Sequence, residues 1–380
     1  MKEQRHRRDM KTRTRIPIAK PLISDDEKRR VLEVLDSGLL VAGTQVRAFE
    51  QAFARYLSVP HAAATSSGTT ALQVALEALE IGKGDVVVTT PFTFVASSNA
   101  ILYAGARPVF VDVDPRTANI DPNQVEEAVR RERAKAVVCV HLYGLPSDLP
   151  ALAEITARHG ALLIEDCAQA HGAAVQGRKA GTFGDAAIFS FYPTKNMTTG
   201  EGGMVVTSRE DVARRAAVLV NVGQNGTAEY VYERIGYNYR MTEMAGAIGL
   251  GQLTRLEEFN AARRRNAARL SAALRGLDWL TLPVEPAGYH HVYHQYTVQT
   301  ADRDALARHL AADGVGSRVY YPHLIPHSPA YRRLGYGGSY PAAEALAARV
   351  LSLPVHPALS DDDVDRIIES VRAFPRGARA

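Results

Sequence analysis

The sequence predicts an α/β protein: a large domain on a parallel or mixed sheet, followed by a smaller α+β domain. Three observations carry this. Short apolar runs without polar alternation, such as Val86–Thr90 and Ala136–Val140, read as strands buried on both faces. Segments of helical period separate them, so that strand and helix alternate along the chain. After one long helical stretch, Met241–Leu277, the pattern changes to an alternating strand, Tyr293–Val298, among shorter helices.

In order, Ser24 caps a helix whose first turn is Asp25-Asp26-Glu27, and Gly38 closes it; acids there suit the helix dipole. A second helix covers Gln45–Tyr56. The alternation then runs through strand Ala62–Ala64, helix Thr69–Leu79, strand Val86–Thr90, helix Val95–Tyr103 and strand Val109–Val111. It continues with a helix from Asn123, strand Ala136–Val140, helix Leu149–His159 and strand Ala161–Ile164. Ala186–Phe189 and Met204–Thr207 are two further strands. Beyond the long helix come a helix at Asp304–Ala312, the segment Ser317–Tyr321 and two more helices. The domain limits are a disordered basic tail over 1–15, a large domain over 16–255 and a small domain over 256–380.

A chain of 380 residues with 46% hydrophobic content can bury a large core. No apolar run reaches membrane-spanning length. Cys139 and Cys167 are too few for a disulfide framework and lack metal-site spacing, so a reducing cytoplasm is the expected location and no metal is expected. The net charge of +4 comes from residues 1–15, which carry +5 and leave the body at −1. A body of that charge is not built to hold a nucleic-acid backbone, and neither nucleic acid nor membrane is an expected partner. The tail has no apolar period to dock with.

Four features fall at loop positions of the sheet, where ligands bind in α/β folds. Lys195 stands between the strands ending at Phe189 and starting at Met204, with Gly200-Glu201-Gly202-Gly203 as its exit. An unpaired ammonium is costly between core strands unless it has a use. Ser66-Ser67-Gly68-Thr69-Thr70 opens a helix and offers backbone amides to an anion; by itself it reads first as an ordinary N-cap. Asp166, with Gln169 close by, follows strand Leu162–Ile164. Phe92-Thr93-Phe94 follows the strand ending at Thr90. Pyridoxal phosphate has a use for all four: a lysine amine, a carboxylate for its ring nitrogen, a phosphate cradle and a surface for its ring.

In these residues the chain resembles the DegT/StrS-type sugar aminotransferases, fold-type I enzymes that depend on pyridoxal phosphate. The resemblance rests on Ser67-Gly68-Thr69, Gly84-Asp85, Val140-His141-Leu142-Tyr143-Gly144, Glu165-Asp166-Cys167-Ala168-Gln169, Ser190-Phe191-Tyr192-Pro193-Thr194-Lys195 and Thr199-Gly200-Glu201-Gly202-Gly203. It extends through Gly236-Tyr237-Asn238-Tyr239-Arg240 to Leu351-Ser352-Leu353-Pro354. Motifs in family order are specific where each alone is weak. The resemblance implies a mixed, mostly parallel sheet in the large domain and a small C-terminal α+β domain. It implies that Lys195 carries the cofactor as a Schiff base, Asp166 pairs with the pyridine nitrogen, Gln169 lies against the ring and Phe94 stacks on it. It gives the phosphate to Gly68, Thr69 and Ser190, and to Asn238 from the second subunit of a homodimer.

The activity implied is amination of a keto sugar on a nucleotide carrier, with glutamate as donor. A keto-inositol acceptor and a regulatory protein that keeps the fold without turnover are the alternatives; Lys195 and Asp166 speak against the second. Relatives that work as dehydratases have histidine in place of the lysine. The chain departs from the family pattern at Tyr321-Pro322-His323-Leu324-Ile325-Pro326-His327, so no substrate contact is carried over there. His290, His291 and His294 read as ordinary strand and loop histidines, and Arg263-Arg264-Arg265 as a solvated helix face.

Overall fold

The computed structural model describes residues 15–225 and 230–375. The basic stretch 1–15 falls outside them except for Arg15. Helix α1 (Asp25–Ser37) starts at Ser24, which forms a capping box with Glu27, and ends at Gly38 in the left-handed conformation, φ 71°. The Glu27 carboxylate is buried and also accepts from Gln252 Nε2 at 2.7 Å. The cap therefore ties α1 to a distant part of the chain.

Helix α2 (Thr44–Leu57) is fixed by a carboxylate at its N-terminus. The amides of Gly43, Gln45 and Val46 donate to Glu243 at 2.7, 2.8 and 3.0 Å. A negative group there complements the helix dipole and occupies orphan donors. Glu243 opens the long helix α8 (Glu243–Leu274), so the two helices are pinned end to end as well as side by side. Their close approach needs glycine: a Cβ on Gly249 would stand 2.7 Å from the Phe49 ring.

The remaining helices of the large domain are α3 (Gly68–Ala78), α4 (Ala96–Tyr103), α5 (Pro122–Glu132), α6 (Leu149–His159) and α7 (Glu210–Val220). Its strands are β1 (His61–Thr65), β2 (Val86–Thr89), β3 (Arg107–Phe110), β4 (Ala136–Val140), β5 (Leu162–Asp166), β8 (Ala186–Ser190) and β9 (Gly203–Thr207). A short pair, β6 (Ala174–Val175) and β7 (Arg178–Lys179), joins β10 (Tyr289–His290) in a separate sheet. The main sheet runs β1-β9-β8-β5-β4-β2-β3. It is parallel from β8 through β5, β4 and β2 to β3, and antiparallel at β8–β9 and β9–β1. The mixed, mostly parallel sheet is as expected. Two reversals make β1 run the same way as β8, so β1, β2, β5 and β8 all deliver their C-terminal ends to one edge.

Both faces are covered. Phe49, Phe53, Val125, Leu152, Phe189 and Leu256 lie in the core under α2, α5, α6 and α8. Leu72, Leu76, Ile101, Ile188, Val212 and Leu219 lie in the core under α3, α4 and α7. Removing a ring such as Phe53 would cost about 3–5 kcal/mol, because a close-packed core relaxes only in part.

Helix α8 (Glu243–Leu274) is 32 residues long and leads into the C-terminal part. There a hairpin of β11 (Tyr296–Gln299) and β12 (Val350–Leu353) packs with α9 (Arg303–Ala312) and α12 (Asp361–Arg372) around Leu270, Tyr296, Leu310, Leu353 and Ile367. Ile16 joins this core. Helices α10 (Pro329–Arg333) and α11 (Pro341–Arg349) complete the chain.

Some elements differ from the sequence reading. The strand expected at Val109–Val111 is β3, begun earlier at Arg107-Pro108; β3 is the edge strand, where proline is tolerated. The strand expected at Tyr293–Val298 starts only at Tyr296. Its polar Thr297 does not face water but bonds Ser352 Oγ across the hairpin at 2.8 Å. Arg263-Arg264-Arg265 is not a solvated face. Arg263 is buried, its Nη1 donating to the His294 carbonyl at 3.2 Å, and Arg264 pairs with Glu285 at 2.7 Å; only Arg265 is exposed. The chain before β11 folds back over this helix and offers its carbonyls there.

Candidate active site

The shared edge gathers most of the residues singled out from the sequence. At the end of β1, Ser67 caps α3: its hydroxyl accepts from Thr70 N at 3.2 Å, and the Ser67 carbonyl takes Ala71 N at 2.9 Å. No acceptor in the described chain meets the amides of Gly68 and Thr69, the first two of the helix. Ser190, the last residue of β8, stands against them: a Cβ on Gly68 would lie 2.6 Å from the Ser190 Cβ. Only glycine allows the helix start to approach so closely. Two free amides, a helix dipole and a hydroxyl form an anion cradle.

Asp166 ends β5 and is 5% exposed. Its Oδ1 accepts from Ala168 N at 3.1 Å and its Oδ2 from Ser97 Oγ at 2.8 Å. Each oxygen keeps a second acceptor site, so the carboxylate can still take a cationic N–H.

Lys195 sits on the connection between β8 and β9. Its amide donates to Tyr192 O at 2.9 Å, while Thr198 Oγ1 and Thr199 N both donate to Phe191 O, at 2.8 and 3.0 Å. Gly200 turns the exit with φ 84°. The residue is half-buried, and its amine makes no hydrogen bond within the described chain. Burial pushes this amine down to about 8, against an opposing pull from the nearby Asp166 charge. A lysine so placed keeps a far larger neutral, nucleophilic fraction near physiological pH than an ordinary lysine does, though most of it is still protonated there.

Gln169 is buried and held at both ends: its Oε1 accepts from Tyr143 N at 2.8 Å and its Nε2 donates to Tyr321 OH at 3.2 Å. Phe94 is 55% exposed, its ring 6.4 Å from that of Tyr321. Asn238 is not gathered into this constellation by hydrogen bonding. It is exposed, bridges Asn221 through the backbone, and its side chain has no hydrogen-bond partner in the described chain.

Sequence reasoning missed Ser97, Tyr321 and Asn196. Ser97 is one serine on a helix and acquires meaning only beside β5. Tyr321 lies in the segment where the family pattern breaks. Asn196 adjoins Lys195, and that adjacency was the available signal. His291 and His294 are structural in their contacts, as expected: His291 stacks on Tyr293 with centroids 3.9 Å apart, and His294 Nδ1 lies 3.2 Å from Asn196 Oδ1. His141, Glu165 and Cys167 form a trio of metal-ligand types. Glu165, however, already accepts from Gly181, Phe183 and Gly184 amides at 2.7, 2.7 and 2.8 Å and lies 3.1 Å from His141 Nε2. That is a clamp on the loop before β8.

The sequence profile of the DegT/DnrJ/EryC1/StrS aminotransferase family matches residues 21–372. The chain belongs to this family. It is 44% identical over 347 residues to a UDP-N-acetyl-3-dehydro-alpha-D-glucosamine 3-aminotransferase of Acidithiobacillus ferrooxidans, covering 91% of this chain and 92% of that protein. The crystal structure of DesV from S. venezuelae in complex with a ketimine intermediate superposes with a TM-score of 0.91 at 39% identity, over 95% of this chain and 98% of DesV. A putative sugar aminotransferase from Streptococcus pneumoniae in its PLP form gives 0.90 at 28% identity, over 95% and 98%. As an aminotransferase of the DegT/DnrJ/EryC1/StrS family, the chain is a transferase of nitrogenous groups. No helix among its described residues is long and apolar enough to cross a membrane.

Proposed function

We propose that this aminotransferase moves an amino group from glutamate to a keto sugar carried on a nucleotide, using pyridoxal phosphate, as a homodimer in the cytoplasm. The observation that carries the reading is the Lys195 amine: without a hydrogen bond among the described residues, lowered to about 8, and within the field of Asp166. The residues fit the cofactor. The Gly68 cradle, which a Cβ would fill, and the Ser190 hydroxyl suit its phosphate, Asp166 its ring nitrogen, and Lys195 its aldehyde. The acceptor class is supported by the relatives' names, which include a UDP-sugar aminotransferase.

Bound there, pyridoxal phosphate supplies an electron sink for the carbon that loses its proton. The chain supplies the rest. Asp166, aligned by Ser97 and Ala168 N, would hold the ring nitrogen and keep a positive charge on it. Lys195 in its neutral form takes a proton from the donor's α-carbon and returns it elsewhere, and its lowered proton affinity suits both directions. Gly68, Thr69 and Ser190 hold the anionic end fixed while this happens. Phe94 and Gln169 would bound the ring's place.

The homodimer is supported by surface chemistry. Ile235 is 92% exposed, Leu39 72% and Val41 66%, apolar side chains that a second copy would cover. Asn238, three residues from Ile235, would then serve the partner's site.

The test is direct. Purified protein with pyridoxal phosphate and glutamate should bleach the lysine-bound cofactor band and release 2-oxoglutarate; a nucleotide-linked keto sugar should then restore the band and yield an amino sugar. No 2-oxoglutarate would favour a regulatory protein. Turnover of a keto-inositol but not of nucleotide-linked ketones would overturn the acceptor class.

A further inference from the structure

Behind Lys195 lies a buried network to which the reaction above gives no part. Asn196 is 3% exposed. Its Nδ2 donates to Asn260 Oδ1 at 2.8 Å and to the Val292 carbonyl at 3.1 Å, and its Oδ1 lies 3.2 Å from His294 Nδ1. Asn260 Nδ2 donates onward to the His171 carbonyl at 2.8 Å.

The donor count assigns the histidine. Both Asn196 amide protons are spent, so Oδ1 is the acceptor and His294 Nδ1 must donate. The remaining lone pair is on Nε2, 3.4 Å from Gln295 Nε2. His294 is thereby a neutral imidazole held in one tautomer. The partners come from separate parts of the fold: Asn260 from α8, Val292 and His294 from the approach to β11, His171 from the loop after β5. One asparagine thus bolts the lysine-bearing turn to two elements directly and, through Asn260, to a third.

We propose that Asn196 and His294 are positioning residues for Lys195, anchoring its turn from behind and keeping the rear of the amine dry. The inference rests on the reading of Lys195 as the reactive amine. An amine with no hydrogen bond of its own among the described residues is located by its backbone, and the turn's own bonds, Tyr192 O and Phe191 O, hold it from the strand side alone. The charged and titratable groups around it are Asp166 from the end of β5, His171 from the loop beyond, His294, Arg263 of α8 behind His294, and Lys20, which lines a cavity together with Lys195 and Arg263. Asp166 alone favours the protonated amine. Both imidazoles are pushed towards their neutral forms, by burial first and by the Lys195 charge second. Dryness is therefore what lowers the amine's proton affinity, and the anchor maintains the dryness.

The test uses the full-length protein and the variants Asn196→Ala and His294→Ala. Two midpoints are read against pH: the rate of reductive methylation of Lys195, followed by peptide mass spectrometry, and the absorbance change of the lysine-bound cofactor. Both should rise by about one unit, a tenfold slower methylation at a fixed pH below them. Folded variants with unchanged midpoints, whatever their Tm, would overturn the proposal and leave a structural network. If neither variant folds, Asn260→Ser, which cuts the next link, decides by the same readings. The methylation midpoint needs no substrate, so it stands or falls separately from the acceptor and donor proposed above.

Discussion

Ser97 and Asp166, 69 residues apart in the chain, meet in the interior, where the serine hydroxyl donates to Asp166 Oδ2 at 2.8 Å. The two residues are 2% and 5% exposed. A buried carboxylate without donors would be expensive to keep ionised; this one has a hydroxyl on one oxygen and an amide on the other. The sheet delivers Asp166 to the edge, and the first turn of α4 aims it.

Asp166→Asn removes the charge and keeps the size, and turnover should fall by orders of magnitude while the fold and the cofactor stay. Ser97→Ala should act in the same direction but more weakly, because a charged hydrogen bond of this kind contributes about 1.5–3 kcal/mol. Steady-state rates with cofactor content measured in each variant check both. Near-normal turnover of Asp166→Asn would remove the role.

Lys195 carries a pH signature. Burial takes its amine from an ordinary 10.5 down to about 8, with Asp166 opposing. Between those values the unfolded chain binds more protons than the folded one, so stability rises with pH across the window and the full penalty is present below about 8. Lys195→Met removes the penalty. Without added cofactor it should be more stable than the parent at pH 7, by on the order of 3 kcal/mol at most, with the gap narrowing at pH 9.5. Urea unfolding at the two pH values measures this; a gap that does not change with pH would contradict it. The same variant should lose the borohydride-reducible cofactor linkage and multiple turnover.

Much of this architecture was legible because residue type and position agree. Ala136–Val140 is apolar throughout and forms a strand buried on both faces; Asp166 ends another such run, and Lys195 lies in the connection that follows a third. What was not legible depends on contacts made through space. The start of β3 is masked by Arg107-Pro108, which an edge strand accepts and a central one would not. Thr297 reads as an outward residue of an alternating strand, yet Ser352 meets it across the hairpin. Arg263 reads as a surface charge, and only the returning chain at Tyr293-His294 supplies the carbonyls that let it be buried. Ser97 carried no local signal of its partnership with Asp166.

The N-terminal stretch should prove separable at a definite point. Ile16 is 2% exposed, its amide donates to Gly314 O at 2.9 Å and its carbonyl accepts from Gly316 N at 2.8 Å. A chain lacking residues 1–14 keeps these contacts and should fold and turn over like the parent. Ile16→Ala in the full chain should instead cost about 2–5 kcal/mol, as buried large-to-small changes do. Thermal or urea unfolding of the two proteins, beside their rates, tests the boundary. Loss of activity in the folded truncation would show that the basic segment takes part at the site.

Asn238 gives the sharpest test of assembly. It is exposed, without a side-chain partner in its own described chain, and lies close in sequence to Ile235, the most exposed large apolar side chain among the described residues. If it completes the phosphate cradle of the second subunit, two differently crippled chains should complement each other. Lys195→Ala abolishes one contribution, and Asn238→Asp sets a carboxylate against the anion that the cradle holds. In a two-fold dimer with one chain of each kind, one site collects both defects and the other collects neither. Random remixing at equal amounts makes half the dimers mixed, so about a quarter of all sites should be wild type. If Lys195 and Asn238 serve the same subunit's site, every site stays damaged and mixing restores nothing. The Asn238→Asp homodimer must itself be weak, and subunit exchange is followed by native mass spectrometry. With both established, activity no higher than the average of the two parents would show that the site is not shared through Asn238.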